Sequence, residues 1–369
     1  MSIITQIFFA VVKMHIVVLP VSGNFFPTQL GLLSRLIEVG YDPNILLGTS
    51  GGAVCSVLAL GSDWSVEGIH RLVQKMEPSL FLKNWWPKTL SFMPSWCLGF
   101  FRGSVYNTGT ESKEFFRNNF TTDSLTQKEV WLGVTNQTQG RAEFFCNLSE
   151  EESCIDVRCF ESHLKMGQKT MCESLQFLDG NLETLHDVTM ASASIPTLVP
   201  AKQIGKDLFV DGGVFFASPL TPMQDCLEAL GDEEGLHITY VNTYDLEDRK
   251  ITSSVNFYPG IFRTGAMAFA TMVNSILSQD RLNGLKMLNP DIKNLNRITI
   301  KGNKTILKQI FTFREKCRRS FLELYTKSVN TIDLTNFTPE DILKAMDATK
   351  EEYFCRFWWV GDKAFTISL

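Results

Sequence analysis

The five residues Gly48-Thr49-Ser50-Gly51-Gly52 stand between an apolar run, Ile45-Leu46-Leu47, and a run of small and apolar residues, Ala53, Val54, Val57, Leu58 and Leu60, at helical spacing. A chain that leaves a strand and enters a helix within so few residues must approach itself closely. Only small residues two before and two after the central serine permit that approach. The pattern predicts a sharp strand-to-helix turn with Ser50 at its tip, beside the unpaired amides and the positive dipole end of the new helix. Read alone, the five residues also fit an ordinary glycine turn. The strand before them and the helix after them make Ser50 a candidate nucleophile, with helix amides placed to stabilise an oxyanion.

The same alternation of element types extends to both sides. His15-Ile16-Val17-Val18-Leu19-Pro20-Val21 is apolar at consecutive positions, as expected of a strand covered on both faces. Leu30, Leu32, Leu33, Leu36, Ile37 and Val39 then recur at helical spacing until Gly40 stops the segment. Strand, helix, strand, helix in this order predicts an α/β fold, a three-layer sandwich around a mainly parallel central sheet. Further on, Trp131 to Thr135 and Ala142 to Cys146 read as a strand pair about a turn at Gln139-Gly140. Residues 185–194 read as a helix ended by Pro196, 207–210 and 236–241 as strands, and 222–230 as a helix. From about Ser253 helical spacing dominates, with helices expected near 265–287, 313–328 and 339–350, and Phe354, Phe357, Trp358 and Trp359 expected as core of that helical part. The expected organisation is thus an apolar leader or extra strand over residues 1–13, one α/β domain over 14–252 and a mainly helical region over 253–369.

A chain of 369 residues can bury a large core without disulfides or metal. Its net charge of -5 excludes the basic footprint that nucleic-acid binding requires. The nine cysteines are odd in number and include no Cys-x-x-Cys pair, so neither a zinc site nor a disulfide framework is expected, and a reducing intracellular location is. The run from Ile3 to Val12 is too short to span a bilayer and lacks the basic start of a signal peptide. Met14 is an equally good start for the first strand.

A serine nucleophile needs a base within hydrogen-bond reach. None of the five histidines, His15, His70, His163, His186 and His237, lies in a glycine-flanked turn. Asp211 does: it ends the apolar strand Leu208-Phe209-Val210 and is followed by Gly212 and Gly213. That puts a carboxylate at the carboxyl end of a strand, where sites form in open α/β sheets. Asp-Gly is also a common turn pair, and this residue alone does not choose between the two readings.

The order G-x-S-x-G, then Ala191-Ser192-Ala193-Ser194-Ile195-Pro196, then Asp211-Gly212-Gly213 resembles the patatin-like phospholipase family over residues 14–220. The resemblance implies a serine and aspartate dyad without histidine: Ser50 as nucleophile, Asp211 as base, and the segment from Ala191 to Pro196 as scaffold beside the aspartate. Gly48, Gly52, Gly212 and Gly213 would be structural. It implies fatty acyl esters of phospholipids or neutral lipids as substrates, and neither cofactor nor metal. The family's glycine-rich loop, with its following basic residue, is reduced here to Val21-Ser22-Gly23-Asn24-Phe25-Phe26-Pro27-Thr28. The amides of Gly23, Asn24 and Gly51 are the candidate oxyanion donors.

Residues 83–103 are crowded with aromatics, among them Trp85, Trp86, Phe92 and Trp96, with Lys83, Lys88 and Arg102 at the flanks. This composition suits a membrane interface and a protein peripheral on lipid surfaces, and it equally suits core packed over the sheet. Two rivals to the dyad enzyme stay open. One is an α/β-hydrolase triad of Ser50, Asp211 and His237; the other is a slow or non-catalytic lipid-binding relative whose oxyanion loop has degenerated.

Overall fold

The computed structural model describes residues 14–82, 104, 107–155, 172–196, 198–216, 218–220, 222–223, 236–241 and 336–347, together with the backbone of 354–360 and 363–367. The aromatic segment 83–103, residues 1–13 and most of 222–335, with the helices expected there, lie outside these described residues.

The first half follows the alternation that the sequence predicts. Strand β1 (Met14–Leu19) leads through a short 3-10 turn, Gly23–Phe25, into helix α1 (Phe26–Glu38). Pro27 sits in the first turn of α1, where a missing N–H costs nothing. Gly40 ends the helix in the left-handed region at φ 73, with Tyr41 N donating to Leu36 O and Gly40 N to Ile37 O. These are the two bonds of a Schellman stop. Strand β2 (Ile45–Thr49) and helix α2 (Gly51–Gly61) follow, then α3 (Val66–Val73), whose amide at Gly68 is capped by the Ser65 hydroxyl.

Helices α4 (Glu111–Asn119) and α5 (Thr122–Leu125) precede the hairpin of β3 (Glu129–Asn136) and β4 (Arg141–Cys146). Strand β5 (Cys172–Phe177) and helix α6 (Leu182–Ser192) lead to the small hairpin of β6 (Lys202–Ile204) and β7 (Asp207–Asp211). Strand β8 (Leu236–Val241), helix α7 (Pro339–Asp347), and strands β9 (Phe354–Val360) and β10 (Lys363–Ile367) complete the described elements.

The strands form one sheet in the order β10-β9-β8-β1-β2-β3-β4-β5, with β7 pairing β3 and β6 beyond this path. The four central strands β8, β1, β2 and β3 are parallel, and the pairs on either side of them add antiparallel strands. The fold is therefore α/β with a mainly parallel central sheet.

Side chains alternate across this sheet, and both faces are buried. Val17, Leu19, Leu46, Leu132 and Val134 belong to one core cluster, with the apolar residues of α1, α2, α3, α6 and α7. Ile16, Val18, Ile45, Leu47 and Trp131 belong to the other, with Phe144, Phe216, Leu220 and Met223. Two covered faces explain why the central strands read as unbroken apolar runs rather than as alternating ones.

The C-terminal end departs from the helical expectation. Residues 339–347 are helical, but Phe354, Phe357, Trp358 and Trp359 lie in β9, paired antiparallel with β8 and in turn with β10. A seven-residue run rich in aromatics fits a pleated strand better than a helix, and its short length is itself a strand signal.

Candidate active site

The turn between β2 and α2 is as tight as its glycines require. A Cβ on Gly52 would lie 2.0 Å from Leu19 O, so the start of α2 rests directly on the end of β1. A Cβ on Gly48 would meet Ser56 Oγ at 2.5 Å and Ala53 Cα at 2.8 Å. Ser50, between them, is held at φ 58 and ψ -125, a conformation that costs a non-glycine residue about 1–3 kcal/mol. The surrounding bonds hold it there. Ser50 O accepts from Ala53 N at 3.0 Å and Val54 N at 3.2 Å, and Ser50 N donates to Ser192 Oγ at 2.9 Å.

Asp211 reaches the same point from the other side. It ends β7, registers opposite Val134 of β3, and donates its amide to Ser194 O at 3.0 Å. Gly212 turns the chain against β3, where a Cβ would lie 2.6 Å from Gly133 O and 2.7 Å from Thr49 Cγ2. The carboxylate is then fully engaged: Oδ2 accepts from Ser50 Oγ at 2.7 Å and Oδ1 from Gly213 N at 2.7 Å. Both residues are buried, Ser50 at 5% and Asp211 at 4% exposure.

Burial pushes the Asp211 carboxyl up to about 7, against the opposing pull of the donors from Ser50 and Gly213. A carboxylate in that range is matched to neutral pH as a general base. The arrangement can take a proton from Ser50 Oγ as it attacks and return it to a leaving alkoxide.

The structure brings Gly23 and Gly51 of the candidate oxyanion loop together at this point. Gly23 has φ 52, and a Cβ on Gly51 would lie 3.0 Å from Gly23 N and 2.2 Å from Ser22 Oγ. Gly51 opens α2, so its amide has no acceptor within the helix. Asn24 occupies the middle of the same 3-10 turn, and only its backbone is described.

Ser50, Gly23 and Gly51 face an open cleft walled by Phe26, Val54, Phe81, Met190, Leu198 and Val199. Among the described residues of its lining, Ser50 is the one whose side chain carries an oxygen or nitrogen.

The segment from Ala191 to Pro196, expected as scaffold, also reaches the nucleophile: Ser192 touches the amide of Ser50. Its hydroxyl accepts from Ser50 N and donates to Gly133 O at 2.7 Å. Only the recurrence of serine in that small-residue run signals it. The triad with His237 is not assembled: His237 pairs with His15 at the start of β1, roughly 13 Å along the strands from the edge that carries Ser50. His186 is engaged elsewhere, with Asp187 Oδ1 and Ser112 Oγ each at 3.0 Å.

Among the described residues no group of three or more His, Cys, Asp or Glu could hold a metal ion. Nor is any helix among them long and apolar enough to cross a membrane. Trp85, Trp86, Phe92 and Trp96 lie outside the described residues.

The family model described as patatin-like phospholipase matches residues 23–223. No curated protein matches the chain. Among solved structures, the crystal structure of VipD from Legionella pneumophila is similar at a TM-score of 0.32 and 12% identity, over 95% of this chain and 68% of that one.

Proposed function

The chain belongs to the patatin-like phospholipase family, and on that premise we propose that it is a lipid acyl hydrolase in which Ser50 is the nucleophile and Asp211 the sole general base. The observation that carries this reading is the 2.7 Å hydrogen bond from Ser50 Oγ to Asp211 Oδ2 at the tip of a strained turn. In the first step Ser50 Oγ attacks the ester carbonyl while its proton passes to Asp211. The oxyanion gathers at the amides of Gly23 and Gly51, and Asp211 returns the proton to the leaving alcohol. In the second step water attacks the acyl carbon as the same carboxylate takes its proton, and Asp211 passes that proton to Ser50 Oγ as the fatty acid leaves.

The apolar cleft beside Ser50 supports a long-chain acyl group over a polar one, and so supports phospholipase A or lysophospholipase activity on phospholipid or neutral lipid esters. Such substrates sit in lipid surfaces. The aromatic segment with Trp85, Trp86, Phe92 and Trp96 has the composition for peripheral contact with that surface.

Labelling with a fluorophosphonate tests the nucleophile. Covalent modification of the wild-type protein that disappears in Ser50→Ala and in Asp211→Asn is the expected result. Wild-type protein that binds liposomes, stays unlabelled and releases no fatty acid would point instead to a lipid-binding relative without turnover.

A further inference from the structure

The cleft wall is backed from behind by a ring outside the stretch that the family model matches. Phe81 lines the cleft just after a short 3-10 turn, Pro78–Leu80. Its ring centroid lies 5.5 Å from that of Phe26, a second wall residue, and 6.1 Å from that of Phe337. Phe337 is buried at 6% exposure and stands two residues before the start of α7, which packs on α1 and α3. It stands far beyond residue 223, where the family match ends. The three rings therefore form a file from the cleft to an element outside that match. Phe26 is anchored in α1 at 2% exposure, whereas Phe81 keeps part of its surface open toward the cleft.

We propose that Phe81 limits the length of the acyl chain accepted beside Ser50, and that Phe337 is the positioning residue that holds the Phe81 ring in place. The proposal rests on the hydrolase reading above and deepens it. An alkyl chain attached to a carbonyl at Ser50 meets apolar walls among the described residues of this cleft, and each methylene it buries is worth about fourfold. Shortening the Phe81 side chain opens room for further methylenes. Removing the Phe337 ring takes away the contact that fixes Phe81 from behind, and a leucine there restores apolar contact.

Steady-state hydrolysis of p-nitrophenyl esters from acetyl to palmitoyl tests this on the full chain. The expected result is a long-to-short ratio of kcat/KM that rises about tenfold in Phe81→Ala. Phe337→Ala should move the ratio in the same direction by less, and Phe337→Leu should stay near wild type. A fall that is uniform across chain lengths, leaving the ratio unchanged, overturns the proposal. Where Phe81→Ala fails to fold, Phe81→Leu carries the same comparison. Wild-type protein without Ser50-dependent turnover sinks the hydrolase reading, and displacement of a fluorescent fatty acid by fatty acids of graded length then decides the proposal separately. An identical length dependence in wild type and Phe81→Ala overturns it there too.

Discussion

The hydroxyl of Ser192 lies against the backbone of Ser50, accepting from its amide at 2.9 Å while donating to Gly133 O at 2.7 Å. Ser192 sits in the last turn of α6 and Gly133 in β3, so one side chain ties the nucleophile's strained turn to a helix and to a neighbouring strand. Ser192→Ala leaves a buried amide without its acceptor. The expected cost is about 1–3 kcal/mol in denaturant unfolding, with a drop in kcat larger than the change in KM. Unchanged stability and activity would show that the turn holds without this bond.

Asp211 sets the acid limb of activity. With its carboxyl raised to about 7 by burial, the fraction able to accept the Ser50 proton falls roughly tenfold per pH unit below that value. A pH profile of kcat/KM should rise through pH 7 and level off above it. The rate of fluorophosphonate labelling should follow the same curve. An acid limb near the ordinary carboxylate range would mean that Asp211 ionises freely in the folded protein.

The same shift makes a prediction for stability, opposite in sign to that for activity. The folded carboxyl holds its proton up to about 7, while the unfolded one loses it near 3.8. Between these values the folded state binds more protons than the unfolded state, so stability falls as pH rises through the window and stays reduced above it. Asp211→Asn removes the ionisation. Its melting temperature relative to wild type should be higher at pH 8 than at pH 4, while activity falls about 10²–10⁴-fold. A constant difference across pH would count against a buried, shifted carboxylate.

Two glycines of different kinds separate close approach from backbone conformation. Gly52→Ala drives a Cβ into the backbone carbonyl of Leu19, which cannot move aside without shifting β1. The expected loss is about 3 kcal/mol or more. Gly40→Ala meets nothing within 4 Å and suffers only its positive φ of 73, with an expected loss of about 1 kcal/mol. Melting temperatures of the two variants check the ranking.

The parts of this site differ in how openly the sequence displays them, and the difference has a physical origin. Ser50 is legible because its turn is local: the glycines that permit it are two residues away on either side. Asp211 is half legible, since the strand before it and the glycines after it are local, while its partner is brought from the other end of the domain by the pairing of β7 with β3. Ser192 is hidden for the same reason in stronger form. Both of its partners are distant in sequence, and a serine in a small-residue helix end is ordinary until the fold puts Gly133 beside it. The central strands are legible because both faces of the sheet are covered. The run from Phe354 to Val360 misleads because apolar rings at consecutive positions also suit a helix core, and only its pairing with β8 decides the matter.

Strand β1 has a consequence for how small this protein can be made. It pairs with β2 on one side and β8 on the other, and Leu19 O is the surface on which the start of α2 rests. Yet it ends before the stretch by which the family is recognised begins, and β8 starts after that stretch has ended. A fragment trimmed to residues 23–223 would keep Ser50 and Asp211 but leave β2 with a bare hydrogen-bonding edge, open to pairing with other chains. The unit that can be recognised and the unit that can fold are therefore different lengths of the same chain.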